Sequence, residues 1–199
     1  MPNWCMNSMV VYGSPTEVKD FHEKLQRAWK KGDELRHWHL YQIYEEFGYA
    51  EDYILKSDEN GYIRGNFVDL EKEIHEDKGE CYFQLQYESA WGSMYEGFDW
   101  LLKRHYNTLK QVTIAEECGC EVYINTDTTG RFFSDRFVVD AEDSDTEYFE
   151  KEEQVVRYFN EYLVEDEKDK CKSLSDCYEL CENERYEDKY IQIHEYSAD

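Results

Sequence analysis

The chain lacks any long apolar run, and its first residues lack the features of an export signal. A membrane-spanning helix needs roughly 20 consecutive apolar residues, and no segment of the sequence approaches that length. The opening Met1–Cys5 has neither the basic start nor the apolar stretch of a secretory signal. The number of cysteines, seven, is odd, which suits reduced thiols better than a disulfide framework. We therefore expect a soluble, cytoplasmic protein that does not bind membranes.

The motifs of the common enzyme classes are also missing. There is no Gly-x-Ser-x-Gly nucleophile motif, no Gly-x-Gly-x-x-Gly and no Walker-type Gly-Lys-Ser/Thr sequence. No cysteine stands beside a histidine in a way that indicates nucleophilic catalysis. Carboxylates are so abundant that no pair of them can be singled out as general acid and base. The sequence therefore predicts that the chain is not an enzyme.

Three residue pairs have spacings that metal sites use. They are Cys118-x-Cys120, Cys177-x3-Cys181 and His37-x-His39. A structural zinc site requires two such pairs to be held together. The second cysteine pair falls on the apolar face of a predicted helix, where cysteine is typical as a small core residue. We therefore predict neither a bound metal nor a cofactor.

Basic residues are scarce relative to acidic ones. The chain has 22 Lys and Arg against 46 Asp and Glu, a net charge of −24, and residues 140–199 alone hold 21 acids and 7 bases. So negative a surface repels phosphate backbones and anionic membranes. It favours a basic macromolecular partner and argues against direct nucleic-acid binding. The alternative is that the acids only keep a tyrosine-rich chain soluble.

Periodicity predicts a β-α-β-β-α-β order over residues 1–140. A strand over Trp4–Tyr12 precedes a helix that begins at Pro15 and buries Val18, Phe21 and Leu25. The later elements follow in order: a helical turn at 40–47, a short strand at 61–67, an alternating strand at 81–88, a helix at 94–106, a strand around 112–114, and a hairpin of 121–126 with 131–139. This order fits an α+β core, a split β-α-β sheet with its helices on one face and an added hairpin.

Residues 141–199 are predicted to form an acidic helical extension, packed on the core or tethered to it. Ser144 or Asp145 is expected to begin a helix with Phe149 and Phe159 in its apolar stripe. A charged linker at 165–170, a short helix at 174–181 and a final strand at 190–194 follow. The chain thus divides into a core of residues 1–140 and an extension of residues 141–199.

The first residues carry a family resemblance. The sequence Met1–Cys5 (MPNWC), followed by an asparagine, a short strand, Gly13 and a helix, resembles the opening of a phage- and plasmid-encoded family with a YubB-type ferredoxin-like domain. Phe83–Trp91 is similar to that domain's strand ending in tryptophan, and Glu116–Cys120 with Gly130 is similar to its later acidic, glycine-containing segment.

The resemblance covers residues 1–30 and 80–140. Gly92, Ser93 and Met94 stand where we would expect the family's prolines. The family has no assigned activity, so that no residue roles can be carried over from it. What the resemblance implies is a ferredoxin-like core and an origin in a mobile genetic element.

Charge and this implied origin together give the functional hypothesis. We expect a phage accessory protein that acts in the cytoplasm of an infected bacterium and inhibits a host defence nuclease. It would do so by occupying a basic nucleic-acid channel, as a nucleic-acid mimic or a competitive blocker. A CRISPR effector is the first expected target and a restriction enzyme the second. The alternative is a structural or assembly homo-oligomer from a mobile element, with no inhibitory role.

The partner-binding residues are predicted to be the carboxylates of the extension, acting collectively, with tyrosines between them as apolar contacts. These carboxylates are Glu142, Asp143, Asp145, Glu147, Glu150, Glu152, Glu153, Glu161, Glu165, Asp166 and Glu167.

Overall fold

A computed structural model describes residues 3–35, 39–49, 64–141, 145–164, 170–183 and 190–198. The chain folds into two compact units, Met1–Thr126 and Asp127–Asp199. Both units combine helices with antiparallel sheets, and the fold is therefore α+β. No helix in the described part of the chain is long and apolar enough to cross a membrane.

The sheet of the first unit is organised around strand β1 (Trp4–Gly13). Strand β4 (Glu80–Ala90) pairs antiparallel with one side of β1, and β5 (Lys110–Glu117) pairs antiparallel with the other. Side chains alternate across these strands, so that odd-numbered residues of β1 such as Cys5, Met9 and Val11 are buried on one face, while Met6 and Ser8 point to the opposite face. The alternating patterns in the sequence thus correctly predicted the central strands.

Three outer strands complete this sheet. Strands β2 (Gly65–Leu70) and β3 (His75–Asp77) pair with β4, and β6 (Val122–Asn125) pairs with β5, all antiparallel. The order of neighbours is β2-β4-β1-β5-β6. Strands β1 and β2 therefore run parallel with β4 between them, and β4 and β5 run parallel with β1 between them.

Among the described residues, three helices supply the rest of the first core. They are α1 (Pro15–Leu35), the one-turn α2 (Gln42–Glu45) and α3 (Tyr95–His105). Phe21 and Leu25 of α1 are fully buried, and the Phe21 ring lies 6.3 Å from the Phe83 ring of β4. Each such side chain contributes about 1.5–3 kcal/mol on burial. The apolar spacings of the sequence predicted α1 and α3 correctly.

The second unit has its own sheet and its own core. Strand β7 (Phe137–Ala141) lies between β8 (Glu147–Phe149) and β9 (Ile191–Glu195), again antiparallel. Helix α4 (Glu152–Tyr158) continues into a π-helical turn (Phe159–Leu163), and α5 (Leu174–Cys181) follows. The buried cluster consists of Phe137, Val139, Val155, Phe159, Cys171, Cys177, Leu180 and Ile191.

Two local predictions were wrong here. Residues 121–126 and 131–139 do not form a hairpin, because β6 pairs with β5 and β7 belongs to the second sheet. The Asp127 carboxylate accepts hydrogen bonds from Thr129, and from the backbone N–H groups of Phe132 (2.7 Å) and Phe133 (3.0 Å). These bonds fold the connecting loop onto itself.

The other wrong prediction concerns the start of the acidic helix. Residues 147–149 form strand β8, and the helix begins at Glu152, not after Ser144 or Asp145. The second unit therefore contains strand β8 in addition to the final strand that the sequence predicted. The two units divide after Thr126, whereas the order of predicted elements placed a boundary after residue 140. The difference arises because, among the described strands, β7 pairs only with β8 and β9, which follow it in the chain.

Candidate protein-binding surface

Strand β8, helix α4 and the residues around them carry six of the eleven predicted carboxylates. We call this set the acidic surface: Asp145, Glu147, Glu150, Glu152, Glu153 and Glu161. All six residues are exposed. The other five, Glu142, Asp143, Glu165, Asp166 and Glu167, lie outside the described residues.

The packing of α4 explains why these acids face solvent. Val155 and Phe159 are fully buried, so that residues on the other side of the helix point outward. The side-chain oxygen of Gln154 accepts hydrogen bonds from the backbone N–H groups of Glu150 (3.0 Å) and Lys151 (2.9 Å). Gln154 thereby satisfies two donors at the helix start. Two glutamates in the first turn of α4 also suit the positive end of the helix dipole.

The acidic surface keeps its charge uncompensated. Among the described residues, none of its six carboxylates lies within ion-pair distance of a Lys or Arg side chain. Arg157 stands four residues after Glu153 and four before Glu161, a spacing that often gives helical ion pairs. It forms no ion pair with either carboxylate. The carboxylates are therefore available to an external cation.

Two further acids lie close to this surface, and the sequence did not identify them. Burial raises the pKa of Asp135, and the negative charge of Glu150 raises it further. Burial likewise raises the pKa of Tyr178, with added contributions from the Glu195 and Glu152 carboxylates. Asp135 therefore lies near Glu150, and Glu195 and Glu152 each lie near Tyr178.

Aromatic rings accompany the carboxylates. The rings of Phe149, Tyr158 and Tyr162 form a row, with centroids 5.3 Å apart at each step. Tyr162 is 72% exposed, more than any other large hydrophobic residue in the described part of the chain. The Asn160 side chain fixes this turn by bonding both the backbone N–H and the carbonyl oxygen of Cys171, each at 2.8 Å. The sequence showed these tyrosines but not their exposure.

The two predicted cysteine pairs lie in different environments, and Cys181 is partly buried against the second core. Cys177 is fully buried in the second core, as predicted for a small core residue, whereas Cys118 and Cys120 are exposed on a 3-10 turn. Of the predicted histidine pair, His37 lies outside the described residues. Within the described ranges, no group of three or more His, Cys, Asp or Glu side chains is arranged to hold a metal ion.

Comparison with protein-family models, curated proteins and solved structures found no match for this chain. Its function therefore has to be inferred from its own surfaces.

Proposed function

We propose that this chain is an accessory binding protein that inhibits a nucleic-acid-binding enzyme by docking its acidic surface in that enzyme's basic channel. The observation that supports the proposal best is the set of six exposed carboxylates without described ion pairs. Residues 127–199 carry 23 acidic and 9 basic residues, a net charge of −14. Such a surface attracts a cationic groove and repels nucleic acid itself.

The row of aromatic rings formed by Phe149, Tyr158 and Tyr162 offers binding energy that exposed charges alone do not provide. Exposed ion pairs contribute little net affinity, about 0–1 kcal/mol each. Binding energy at interfaces comes largely from a few aromatic and arginine side chains. Tyr162 is the exposed member of a fixed row, next to Glu161 in the chain. In the proposed complex the carboxylates steer association, and Tyr162 packs against the partner's arginine side chains.

For the first unit, we propose a ferredoxin-like fold. The proposal is supported by the strand order β2-β4-β1-β5. Helix α1 connects the parallel strands β1 and β2, which flank β4, and α3 connects the parallel strands β4 and β5, which flank β1. Many unrelated functions use this fold, so that it does not identify an activity. Together with the resemblance of the MPNWC opening, it favours an origin in a phage or plasmid.

That origin suggests the class of partner. A mobile element gains from blocking a host defence nuclease, and such nucleases hold nucleic acid in basic channels. We propose a CRISPR effector as the first target to test and a restriction enzyme as the second. The proposed site of action is the cytoplasm of the infected bacterium.

A capture experiment with matched variants tests this proposal. The full chain is immobilised and exposed to nuclease-treated bacterial lysate at about 0.05 M and about 0.5 M NaCl, where the Debye length falls from roughly 14 to 4 Å. The expected result is recovery of a basic nuclease that is lost at high salt. A DNA duplex added to the complex should compete with the immobilised chain.

The decisive variant replaces Glu147, Glu150, Glu152 and Glu153 with glutamine. Its matched control replaces Glu23, Glu34, Glu73 and Glu76, which are exposed residues of the first unit. Both proteins lose four charges, but only the first should slow association with the recovered nuclease, by about tenfold or more at low salt. Equal association rates for the two variants would show that net charge alone acts, and the proposal would fail.

A further inference from the structure

Three of the largest exposed apolar side chains of the first unit lie together at one end of its sheet. Trp4, Met6 and Trp91 are 40%, 50% and 53% exposed. Trp4 lies opposite Ala90 in the β1–β4 pairing, and Trp91 directly follows Ala90. We call these residues, together with Arg64, the Trp91 patch.

The backbone around Trp91 is held by several hydrogen bonds. The Trp91 N–H donates to the carbonyl oxygen of Asn3 at 2.8 Å, and the Ala90 N–H donates to that of Arg64 at 3.0 Å. The Ser89 hydroxyl donates to the carbonyl oxygen of Gly92 at 2.8 Å. The Arg64 guanidinium lies 4.8 Å from the centre of the Trp91 ring. The ring is thus held at a defined position while half of its surface stays in water.

This arrangement is costly for an isolated molecule. Trp91 has a φ of +66°, in the left-handed region that a bulky side chain rarely adopts. Exposure of two tryptophans and a methionine adds the cost of hydrating apolar surface. Strained backbone conformations persist where surrounding structure enforces them, commonly at functional sites. Glycine or asparagine would suit this turn better, unless the indole itself is needed.

We propose that the Trp91 patch binds the same patch of a second copy of this chain. Tryptophan, methionine and arginine are the residue types enriched at the centres of protein interfaces. A two-fold contact brings a patch against its own copy, so that it must complement itself. This patch carries its own cation, Arg64, and the half-buried Glu88 lies opposite Met6 in the β1–β4 pairing, so that its side chain is on the same sheet face as Met6. Arg64 would oppose a purely basic partner, which favours self-association over binding of the cationic channel.

The net charge predicts how salt affects this contact. Each copy carries −24, so that two copies repel each other at low ionic strength. Screening removes this repulsion while leaving apolar contacts intact. Self-association through the Trp91 patch should therefore strengthen as salt rises. Binding through the acidic surface should weaken under the same change, which lets the two contacts be told apart.

Sedimentation equilibrium of the full chain tests the proposal. The mass should rise with concentration from 24.1 kDa towards twice that value, and the dimer should be tighter at about 0.5 M than at about 0.05 M NaCl. The variant Trp91→Gly removes the indole and places the residue best suited to a positive φ in the turn. It should stay monomeric, with an unchanged circular dichroism spectrum. Trp91→Asn, which also tolerates this backbone conformation, should behave in the same way.

Tyr190→Ala is the matched control, because Tyr190 is 54% exposed but lies in the second unit. It should dimerise like the unmodified chain. A monomeric mass for the unmodified chain at every concentration and salt would overturn the proposal. So would a dimer of unchanged strength in both Trp91 variants. Either outcome leaves the nuclease-binding proposal standing, since that proposal depends on other residues.

Discussion

The buried side chain of Asn7 offers a direct test of how the first unit is held together. Asn7 is 2% exposed. Its amide nitrogen donates to the carbonyl oxygen of Cys5 (2.8 Å), to that of Tyr87 (3.3 Å) and to the Ser89 hydroxyl (2.9 Å). Its amide oxygen accepts from the Ser93 hydroxyl at 2.7 Å. One side chain thus joins β1, β4 and the turn that carries Trp91.

Replacing Asn7 with alanine removes all four bonds. A buried hydrogen bond contributes about 1 kcal/mol net, and each polar group left unsatisfied costs about 1–3 kcal/mol. The Ser89 hydroxyl keeps its bond to Gly92, whereas the Ser93 hydroxyl loses its described acceptor. We therefore expect a loss of about 3 kcal/mol in the free energy of unfolding, a large fraction of the 5–15 kcal/mol typical of a domain.

Urea unfolding, monitored by tryptophan fluorescence, measures this loss of stability in the first unit. All five tryptophans lie within residues 1–126 and none in 127–199, so that the signal reports only the first unit. With a slope of about 2 kcal/mol per M, the midpoint should fall by about 1.5 M.

Ser8→Ala is the neighbouring control, since Ser8 faces the other side of the sheet, and it should change stability by less than about 0.5 kcal/mol. If Asn7→Ala lowers the midpoint no more than Ser8→Ala, the network contributes nothing and the reasoning is refuted.

Two further predictions concern the same unit. Gly65→Ala should prevent folding of the first unit, because an added Cβ would lie 1.9 Å from the Glu88 carbonyl oxygen. In a urea titration, the tryptophan fluorescence of this variant should show no cooperative unfolding transition. A cooperative transition near that of the unmodified chain would contradict this prediction. With iodoacetamide and mass spectrometry, Cys118 and Cys120 should be modified before Cys5, which is buried and whose pKa burial raises to about 12. Early modification of Cys5 would contradict the described burial.

The sequence predicted the elements whose patterns extend over several turns or residue pairs. Strand β4 alternates over residues 81–88, and α1 repeats its apolar positions over about three turns from Val18 to Trp29. Patterns of this length outweigh a single residue that departs from them. Strand β8 has only three residues, two of them exposed, so that it has no pattern of its own. It forms because β7 offers an edge with which it can pair.

The sequence showed which acidic residues belong to the candidate site, but not whether their carboxylates form ion pairs within the chain. The acids of α4 and the turn after it were visible, yet the same sequence contains Arg157 at ion-pair spacing from Glu153 and from Glu161. Only side-chain positions show that these acids remain uncompensated. The Trp91 patch was not predictable at all, because neither the positive φ of Trp91 nor the side-by-side position of Trp4 follows from residue order.

The two proposed contacts depend on salt in opposite directions: binding through the acidic surface weakens as salt rises, and self-association through the Trp91 patch strengthens. Carboxylates of the acidic surface repel those of another copy, so that this surface cannot serve as a self-association contact at low salt. The Trp91 patch has little net charge of its own and tolerates a like-charged partner once repulsion is screened. A dimer formed through the patch would carry two acidic surfaces. It would bind a partner that has two basic channels more tightly than a monomer does, because the second binding event becomes intramolecular. Trp91→Gly should then weaken capture of a two-sited partner while leaving the affinity for a single-sited one unchanged. A uniform loss for both kinds of partner would mean that the indole contacts the partner directly.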